Sequence, residues 1–518
     1  MKKNNKILWI DDEIDLLESH IIYLSDKGYL VETSNSGEDA IDYCTNNVVD
    51  LVLLDEMMTG IDGIETLKRL KNLNPDLPII MVTKNEEESI MEEALSEKIS
   101  YYLTKPVNPS QILSACKKIL DDKKITTDTL IKKFLDFIKK LQSSNYDNFD
   151  FSDWNDINNQ LCDWSIKLDE INNFDLKEIL NDEKEILNNN FYKFIEHNYK
   201  HWICNDKERP ILSCDVFKKS LKPIIEKNKK LIFIIIDCFR LDQWKQVSQL
   251  FKNDYEINES THYSIIPTAT PFARNALFSG MMPLEIKNNY PDIWNKMYKE
   301  NKLNSYEDHL FQNLLNNNNF SDKSFHYEKI FNYAEGTKFY NKLSDFKDVD
   351  ILSIVVNFVD ILGHSRSESN ILKELIPNES AYRNAVFNWF NNSWLKDCLN
   401  KLSDWDADIV ITSDHGNTMV TKPTKVKADN TASLGVRYKY GRNLNINDKD
   451  VLKIENPNDY LLPSFDVNTQ YIIAKHNKFF VYLNHFNKYS NLLKDSFQHG
   501  GISLDEMIVP LIHLKKKL

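Results

Sequence analysis

Glycine and cysteine are both scarce in this sequence, with 12 glycines and seven cysteines among 518 residues. The cysteines are odd in number and form no Cys-X-X-Cys pair, which argues against a disulfide framework and against a zinc knuckle. No stretch approaches the roughly 20 consecutive apolar residues of a membrane span. The N-terminal sequence MKKNNKILWIDDE reaches acidic residues too early for a signal peptide. We therefore expect reduced thiols, a cytoplasmic location and no membrane partner.

Positive charge is also in short supply. The formal net charge of −13 argues against duplex DNA as a partner, because affinity for phosphate backbones comes from clustered Lys and Arg. The chain is longer than the roughly 250–300 residues at which single cores stop growing. Its hydrophobic share of 42% and aromatic share of 11% are sufficient for packed cores. Two or three domains are expected.

Four short apolar runs near the N-terminus each lead into residues that can carry chemistry. The runs 6–10, 51–54, 79–82 and 101–103 precede Asp11 and Asp12, Asp55, Thr83, and Lys105, respectively. Amphipathic stretches of helix length separate them, which predicts a parallel sheet with its ligands beyond the carboxyl ends of the strands. These side chains are therefore expected to converge on one cleft.

The chemistry of that cleft follows from charge. Three close carboxylates repel one another and can coexist around a hard cation, so Mg²⁺ with oxygen ligands is expected. Asp55 can attack a phosphoryl donor as a carboxylate nucleophile. Lys105 would neutralise the transferred phosphoryl group, and Thr83 would hydrogen-bond to it.

Over residues 4–122 the sequence resembles the response-regulator receiver family. The matching pieces are the acidic pair, DEMMTGIDG, MVTK and YYLTKP. The resemblance implies phosphorylation of Asp55, a magnesium site of Asp11, Asp12 and Asp55, and a switch formed by Thr83, Tyr102 and Lys105. It also implies a sensor histidine kinase as partner and a homodimer favoured by phosphorylation. The alternative is a flavodoxin-like sheet whose acids are merely solvated.

Residues 126–217 contain no glycine and almost no strand pattern. Apolar and aromatic residues recur at helical spacing, as in Trp154, Ile157, Leu161, Trp164 and Leu168. This pattern predicts an all-helical bundle of four or five helices. Its place between the two other segments makes it a candidate relay.

The last half of the chain carries carboxylates, imidazoles and a hydroxyl at the ends of apolar runs or at turns. They are Asp237, Thr270, Asp360, His364, Asp414, His415 and His499. Mixed Asp and His ligands suit zinc, with manganese as a second choice. Two such ions about 4 Å apart can hold both the attacking and the leaving oxygen of a displacement. Thr270 precedes a helix-compatible stretch, whose N-terminus favours an incoming phosphate. It is a candidate nucleophile, and Thr268 and Ser264 are the alternatives in the same segment.

These spaced motifs resemble the PglZ branch of the alkaline-phosphatase superfamily over about residues 228–515. PTATPFARNALFSG is similar to the nucleophile segment of that superfamily, DHG to its second-metal motif, and HGGISLDEMIVP to its closing histidine motif. The likeness implies one zinc ion on Asp360, His364 and His499 and another on Asp237, Thr270, Asp414 and His415. Its register also implies Thr270, rather than Thr268 or Ser264, as the nucleophile. The whole order of segments is similar to response regulators linked to type IX secretion in Bacteroidetes.

Four further residues are candidate substrate contacts. Arg274 and Asn275 lie one helical turn beyond Thr270, where capping or surface roles are equally open. Arg437 and Tyr438 belong to LGVRYKYGRN, which could line a substrate entrance because aromatics stack on bases and Arg pairs with phosphates. An edge hairpin or an interface loop is the alternative for this segment.

The predicted fold is a multidomain α/β protein. Its parts are a flavodoxin-like receiver at 1–124, a helical bundle at 125–217 and an alkaline-phosphatase-like domain with a central sheet at 218–518. The predicted activity is a zinc-dependent phosphodiesterase or phosphatase, acting on nucleotides or oligonucleotides and controlled at Asp55. The alternative is a phosphorylation-dependent binding module that docks a sigma factor or a secretion component, with its metal site mainly structural.

Overall fold

The computed structural model describes residues 5–84, 99–171, 173–429, 433–484 and 486–517. The chain divides into two compact units, Met1–Leu141 and Gln142–Leu518. Within the described ranges, no helix combines the length and the apolar character needed to cross a bilayer.

The first unit contains a five-stranded parallel sheet in the order β2-β1-β3-β4-β5. Its strands are β1 Lys6–Ile10, β2 Leu30–Ser34, β3 Leu51–Asp55, β4 Ile79–Thr83 and β5 Tyr101–Thr104, and its first helices are α1 Glu18–Asp26, α2 Gly37–Asn46 and α3 Gly63–Leu73. This strand order is that of flavodoxin-like doubly wound sheets, so the predicted fold of this segment is confirmed. Apolar clusters cover both faces of the sheet, and the acidic strand ends share one edge.

The middle region consists of three long helices rather than the predicted four or five. These are α4 Pro109–Gln142, α5 Phe151–Ile171 and α6 Phe174–Cys204. Residues 151–204 contain neither glycine nor proline, so nothing there breaks the helices into shorter pieces. Helix α4 also runs without a break across position 124. Helices α5 and α6 pack through aromatic contacts such as Trp154–Phe191, with ring centroids 5.3 Å apart.

The main sheet of the second unit has six strands in the order β7-β18-β10-β6-β9-β8. They are β6 Lys230–Ile236, β7 Tyr255–Tyr263, β8 Phe325–Ile330, β9 Ile351–Val356, β10 Ala407–Thr412 and β18 Ile508–Lys516. Strands β10, β6, β9 and β8 are parallel, whereas β18 is antiparallel to both of its neighbours. Alternate residues of β6 enter two different cores, one on each face, which explains its continuous apolar run. The predicted α/β domain with a central sheet is confirmed.

Helices and three small sheets surround this sheet. The helices are α7 Lys222–Glu226, α8 Leu241–Val247, α9 Thr270–Ser279, α10 Pro283–Asn289, α11 Pro291–Lys299, α12 Glu307–Asn317, α13 Tyr333–Lys342, α14 Phe358–Glu368, α15 Asn370–Leu375, α16 Glu379–Asn391, α17 Trp394–Leu402, α18 Phe486–Leu493 and α19 Leu504–Met507. The small sheets pair β11 Thr418–Val420 with β17 Ser496–Gln498, β12 Lys422–Val426 with β16 Lys478–Tyr482, and β13 Tyr438–Gly441 with β15 Gln470–Ala474 and β14 Val451–Ile454. The β11–β17 pair brings the chain after His415 beside the chain before His499.

Candidate active site

The first ligand group lies where two adjacent parallel strands end. Asp237 follows β6, and Asp414 with His415 lies just beyond β10. Their oxygen and nitrogen atoms lie within 4.8 Å of one another, and all three residues are buried. His415 Nε2 is 3.9 Å from Asp237 Oδ1 and 3.7 Å from Asp414 Oδ2. Each distance is about what two ligands of one ion require.

The second ligand group contains Asp360, His364 and His499, again within 4.8 Å. His364 Nε2 and His499 Nε2 lie 3.3 and 3.6 Å from Asp360 Oδ1. The apolar run that leads to Asp360 does not continue as a strand up to that residue. Strand β9 ends at Val356, and Asp360 lies in the first turn of α14. The four-residue spacing therefore places Asp360 and His364 on one helical face.

The two groups adjoin each other, and the predicted nucleophile lies beside the first. The rings of His415 and His499 stack with centroids 4.2 Å apart. Thr270 is the first residue of α9, and its hydroxyl lies 3.0 Å from His415 Nε2. The N-terminus of this ten-residue helix offers free amides and a favourable dipole to an anion bound at the Thr270 hydroxyl.

The donor atoms fit metal ions. His415 Nδ1 lies 3.1 Å from the Gly416 carbonyl oxygen and so carries the proton, which leaves the Nε2 lone pair facing Asp237, Asp414 and Thr270. This is the orientation that a carbonyl partner gives to metal-ligating histidines. Asp237 Oδ1 and His499 Nδ1 are buried and have no hydrogen-bond partner among the described residues. A cation on Asp237 would satisfy the first of these two atoms.

Electrostatics also favour a cation at this place. Burial, with Asp414 as a like-charged neighbour, raises the pKa of Asp237 well above its usual range, although Arg274 opposes the rise. Burial raises the pKa of Asp414 too, but Arg274 and His415 outweigh it, and the net direction is downward. Burial, with His415 as its next cause, lowers the pKa of His499 to about 3. The imidazole is therefore neutral at pH 7 and keeps a lone pair for a ligand.

Arg274 and Asn275 occupy buried positions rather than surface positions. The Arg274 guanidinium pairs with Asp237, lies 3.0 Å from Asp414 Oδ2 and donates to Asn357 Oδ1 at 3.2 Å. Arg274 thus contacts two of the candidate ligands. The Asn275 amide donates to the Pro271 and Leu303 carbonyls, and these bonds give it a structural role in the turn around α9.

Arg437 and Tyr438 differ in their relation to the site. Arg437 is fully buried, pairs with both carboxylate oxygens of Glu506 and donates to the Lys478 carbonyl. It therefore does not line an entrance, and the prediction of a substrate contact is wrong for this residue in this structure. Tyr438 is half-buried, packs edge-on against Phe272 and lies directly against Gly500, next to His499. This places Tyr438 at the rim of the site.

Sequence reasoning missed three residues that support the site. Asn357 accepts a hydrogen bond from Arg274, Glu307 lies 3.7 Å from the same guanidinium, and the Asn304 amide donates to the Thr270 carbonyl at 3.0 Å. Asn357 could have been found, because it is the polar residue directly after an apolar run. Neither Glu307 nor Asn304 carries a local signal.

In the first unit the structure brings together the acidic residues that the sequence singled out. Asp11, Asp12 and Asp55 offer oxygens within 4.8 Å of one another, and Lys105 Nζ is 2.9 Å from both Asp11 Oδ2 and Asp55 Oδ2. Burial, only partly offset by Lys105, raises the pKa of Asp55. Such a carboxylate cluster fits Mg²⁺.

The predicted switch residues Thr83 and Tyr102 make different contacts in the first unit. The Thr83 hydroxyl donates to the carboxylate of Glu56, the residue after Asp55. Tyr102 is half-buried and packs against an apolar cluster on one face of the sheet. Sequence reasoning did not foresee the contact between Thr83 and Glu56.

Comparison with known proteins assigns all three segments. Residues 7–117 match the response regulator receiver domain, residues 124–203 the PorX response regulator linker domain, and residues 216–514 the BREX system PglZ alkaline phosphatase-like domain. This is the order of a PorX-type response regulator. Receiver domains bind Mg²⁺, and alkaline phosphatase-like domains are metalloenzymes.

Curated relatives match the first segment. Heme response regulator HssR from Staphylococcus haemolyticus is 36% identical over 127 residues, covering 24% of this chain and 56% of its own length. The alkaline phosphatase synthesis transcriptional regulatory protein PhoP from Bacillus subtilis is 35% identical over 117 residues, covering 23% and 49%. The chain thus spans about half the length of the curated relatives it matches.

Among solved structures, a CheY-like receiver domain protein from Methanospirillum hungatei is 28% identical, with a TM-score of 0.23, covering 24% of this chain and 99% of that one. The PglZ match extends over more than half of the present sequence. The chain therefore belongs to the family of the BREX system PglZ alkaline phosphatase-like domain.

Proposed function

We propose that this protein is a response regulator in which phosphorylation of Asp55 controls a zinc-dependent phosphodiesterase in the second unit. The observation that carries the proposal is the position of Thr270. Thr270 begins a helix, and its hydroxyl lies 3.0 Å from His415 Nε2 of the first ligand group. The His415 ring in turn stacks on His499 of the second group. A buried fold-stabilising cluster would not need an aligned hydroxyl at a helix N-terminus.

The chain's own residues can carry out a two-step displacement. The Thr270 oxygen attacks phosphorus, a P–O bond forms to Thr270, and the bond to the leaving alkoxide breaks. The proton of the Thr270 hydroxyl ends on the leaving group, which departs as the alcohol. Water then cleaves the phosphothreonine ester and regenerates the hydroxyl. The α9 amides stabilise the phosphoryl oxygens during both steps. Zinc ions held by the two ligand groups would supply Lewis-acid charge to the attacking and leaving oxygens.

Exposure favours catalysis over a purely structural metal site. The His364 side chain is half exposed and the Asp360 side chain one-fifth exposed, whereas structural zinc sites are closed by four protein ligands. The second group has three protein ligands, which leaves a position for water or substrate.

Diester preference and nucleotide substrates are supported by the aromatic rim. Tyr438 lies beside Gly500, next to His499, and packs edge-on against Phe272. Aromatic faces of this kind stack on bases. The receiver segment supports a sensor histidine kinase as partner and a homodimer promoted by phosphorylation. A role in type IX secretion is proposed from the order of the three segments, which resembles response regulators linked to that system.

The test combines metal content with hydrolysis of bis-p-nitrophenyl phosphate. We expect about two zinc ions per chain and turnover that falls by at least about 1,000-fold in Thr270→Val, a near-isosteric change that removes the hydroxyl. Thr270→Ser keeps a hydroxyl and should retain measurable turnover. Metal binding without hydrolysis of mono- or diesters would reject the enzyme and leave a binding module.

The regulatory part has its own test. Acetyl phosphate with Mg²⁺ should change the rate of the wild type, and Asp55→Asn should abolish that response without removing basal turnover. An equal response from Asp55→Asn would show that control does not pass through this carboxylate.

A further inference from the structure

A buried network of ion pairs lies between the linker helices and the candidate metal site. We call it the Asp242 network, and it consists of Asp169, Arg240, Asp242, Glu379 and Arg383. Arg240 binds both oxygens of Asp242 at 3.0 and 2.7 Å. Arg383 donates a hydrogen bond from Nη1 to Asp242 and another from Nη2 to Asp169, each with a length of 2.7 Å. Arg240, Asp242 and Arg383 are nearly inaccessible to solvent.

At one end the network joins the turn that carries the first ligand group. Arg240 is three residues beyond Asp237 and directly precedes α8 as its N-cap. Between them Cys238 adopts a left-handed conformation with φ of 65°, and the Phe239 amide donates to Ser413 Oγ at 2.9 Å. Ser413 Oγ in turn donates to the His415 carbonyl at 2.7 Å. The two ligand-bearing turns are thus cross-linked beside Arg240.

Gly416 allows the turn after His415 to come close to Arg240. A Cβ at Gly416 would overlap the Asp505 carbonyl oxygen and lie 3.3 Å from Arg240 Cγ. The turn after His415 therefore lies close to the aliphatic part of Arg240, with no room for a side chain between them. The Arg240 guanidinium also lies 3.5 Å from Glu379 and 3.8 Å from Asp505.

At the other end the network reaches the linker. Asp169 lies near the end of α5, and Arg383 on α16 is its buried partner. Burial raises the pKa of Asp242, but Arg240 and Arg383 outweigh it and hold that pKa well below its usual range. Ionised groups this deeply buried cannot separate without a large desolvation cost. Asp169 on α5 is therefore linked to Arg240 through three successive ion pairs, Asp169–Arg383, Arg383–Asp242 and Asp242–Arg240.

We propose that Asp169 and Arg383 are positioning residues for the metal site, so that the linker forms part of its scaffold rather than a passive spacer. The inference rests on the proposed function and deepens it, because it identifies how the linker can regulate metal binding. Asp169 sets the guanidinium of Arg383, Arg383 and Arg240 share Asp242, and Arg240 supports the turns of Asp237 and His415.

Cobalt binding to the full-length chain tests the proposal. Co²⁺ affinity is measured by competition with a chelator, and the visible absorption of the bound ion reports the geometry of its ligands. We expect Asp169→Asn to lower the affinity at least about five-fold, the lower end of typical coupling between sites, and to alter the absorption spectrum. Asp169→Glu, which restores the charge, should recover much of both.

Two control variants isolate the network. Asp163→Asn removes a 2.6 Å pair with Lys245, which also joins α5 to α8 but lies outside the network. Lys177→Gln removes the more exposed partner of Asp169. Both should bind Co²⁺ with the affinity and the spectrum of the wild type. Arg383→Lys is a second variant, to be used if Asp169→Asn is poorly folded. A lysine cannot bridge two carboxylates with one planar fork, so this variant should also lower the Co²⁺ affinity and alter the absorption spectrum.

The outcomes separate the two levels of the proposal. If the wild type binds Co²⁺, and Asp169→Asn and Arg383→Lys bind it with the same affinity and spectrum, the positioning role alone is overturned. An equal loss in Asp163→Asn would also overturn it, because helix docking in general would then be the cause. Absence of Co²⁺ binding by the wild type would overturn both the inference and the proposed function.

Discussion

Replacement of Arg274 by Met should destabilise the metal-free protein and yet strengthen its zinc binding. The Arg274 guanidinium pairs with Asp237 and lies 3.0 Å from Asp414 Oδ2, and all three side chains are buried. Removing one partner of a buried ion pair costs about 3–5 kcal/mol, because the other charge is left uncompensated. In the chelator-treated protein we therefore expect the free energy of unfolding to fall by about that amount.

Zinc should reverse part of the loss. Arg274 and a zinc ion would compensate the same carboxylates, and the two positive charges repel each other. Without the guanidinium, zinc affinity should rise at least about tenfold, which corresponds to about 1.4 kcal/mol. Ligand linkage then narrows the stability gap between variant and wild type as zinc is added. Thermal and urea unfolding with chelator or with zinc, together with chelator competition, measure both quantities.

Arg209→Met is the matched control for this experiment. Arg209 is also largely buried and pairs with Asp215 at 2.7 Å, but neither residue belongs to the candidate ligand groups. Its stability loss should be the same with zinc and with chelator. If Arg274→Met showed unchanged zinc affinity and an equal loss under both conditions, the charge-compensation role of Arg274 would be refuted.

Three further predictions follow from single contacts. Glu56→Ala removes a competitor for the Thr83 hydroxyl, so calorimetry should show beryllofluoride binding about two- to tenfold tighter; unchanged affinity would contradict this. Gly416→Ala forces a Cβ against Asp505 and Arg240. It should lower the free energy of unfolding by about 1–3 kcal/mol and weaken zinc binding. Wild-type stability in urea unfolding would show that the turn adapts. Burial raises the pKa of Glu379, but Lys184 and Arg240 outweigh it and lower the pKa to about 2. Because the pKa of Glu379 is lower in the folded than in the unfolded state, its ionised side chain stabilises the fold fully above the unfolded-state pKa. This stabilisation is lost as the pH falls toward 2. The difference in unfolding free energy between wild type and Glu379→Gln should therefore shrink as the pH is lowered from 6 to 3. A constant difference would contradict a stabilising role of the ionised Glu379.

The sheets were the most predictable part of the fold. Buried parallel strands such as β6 read as continuous apolar runs, because both faces are covered. Strand β2 escaped prediction because Leu30–Ser34 is an edge strand with mixed exposure. The number of linker helices was overestimated because charged stretches within long helices resemble loops. Only the absence of glycine and proline indicated their true length.

The candidate site was predictable for residues that belong to a local sequence motif. It was less predictable for residues whose role depends on a partner far away in the sequence. Asp237, Asp414 and His415 follow strands whose ends must meet. The role of Arg437 was misjudged because its partner Glu506 lies 69 residues further along the chain. Likewise, nothing near Arg274 in sequence reveals that Asp237 and Asp414 surround it.

The central claim is that Thr270 is the nucleophile of a metal-dependent esterase, and the most direct measurement is a search for its covalent adduct. Zinc-loaded protein is mixed rapidly with bis-p-nitrophenyl phosphate, quenched in acid, and examined by peptide mass spectrometry. We predict an early burst of p-nitrophenolate and a p-nitrophenyl phosphoryl group on the Thr270 peptide, both absent in Thr270→Val. Hydrolysis by Thr270→Val at the wild-type rate would contradict the account.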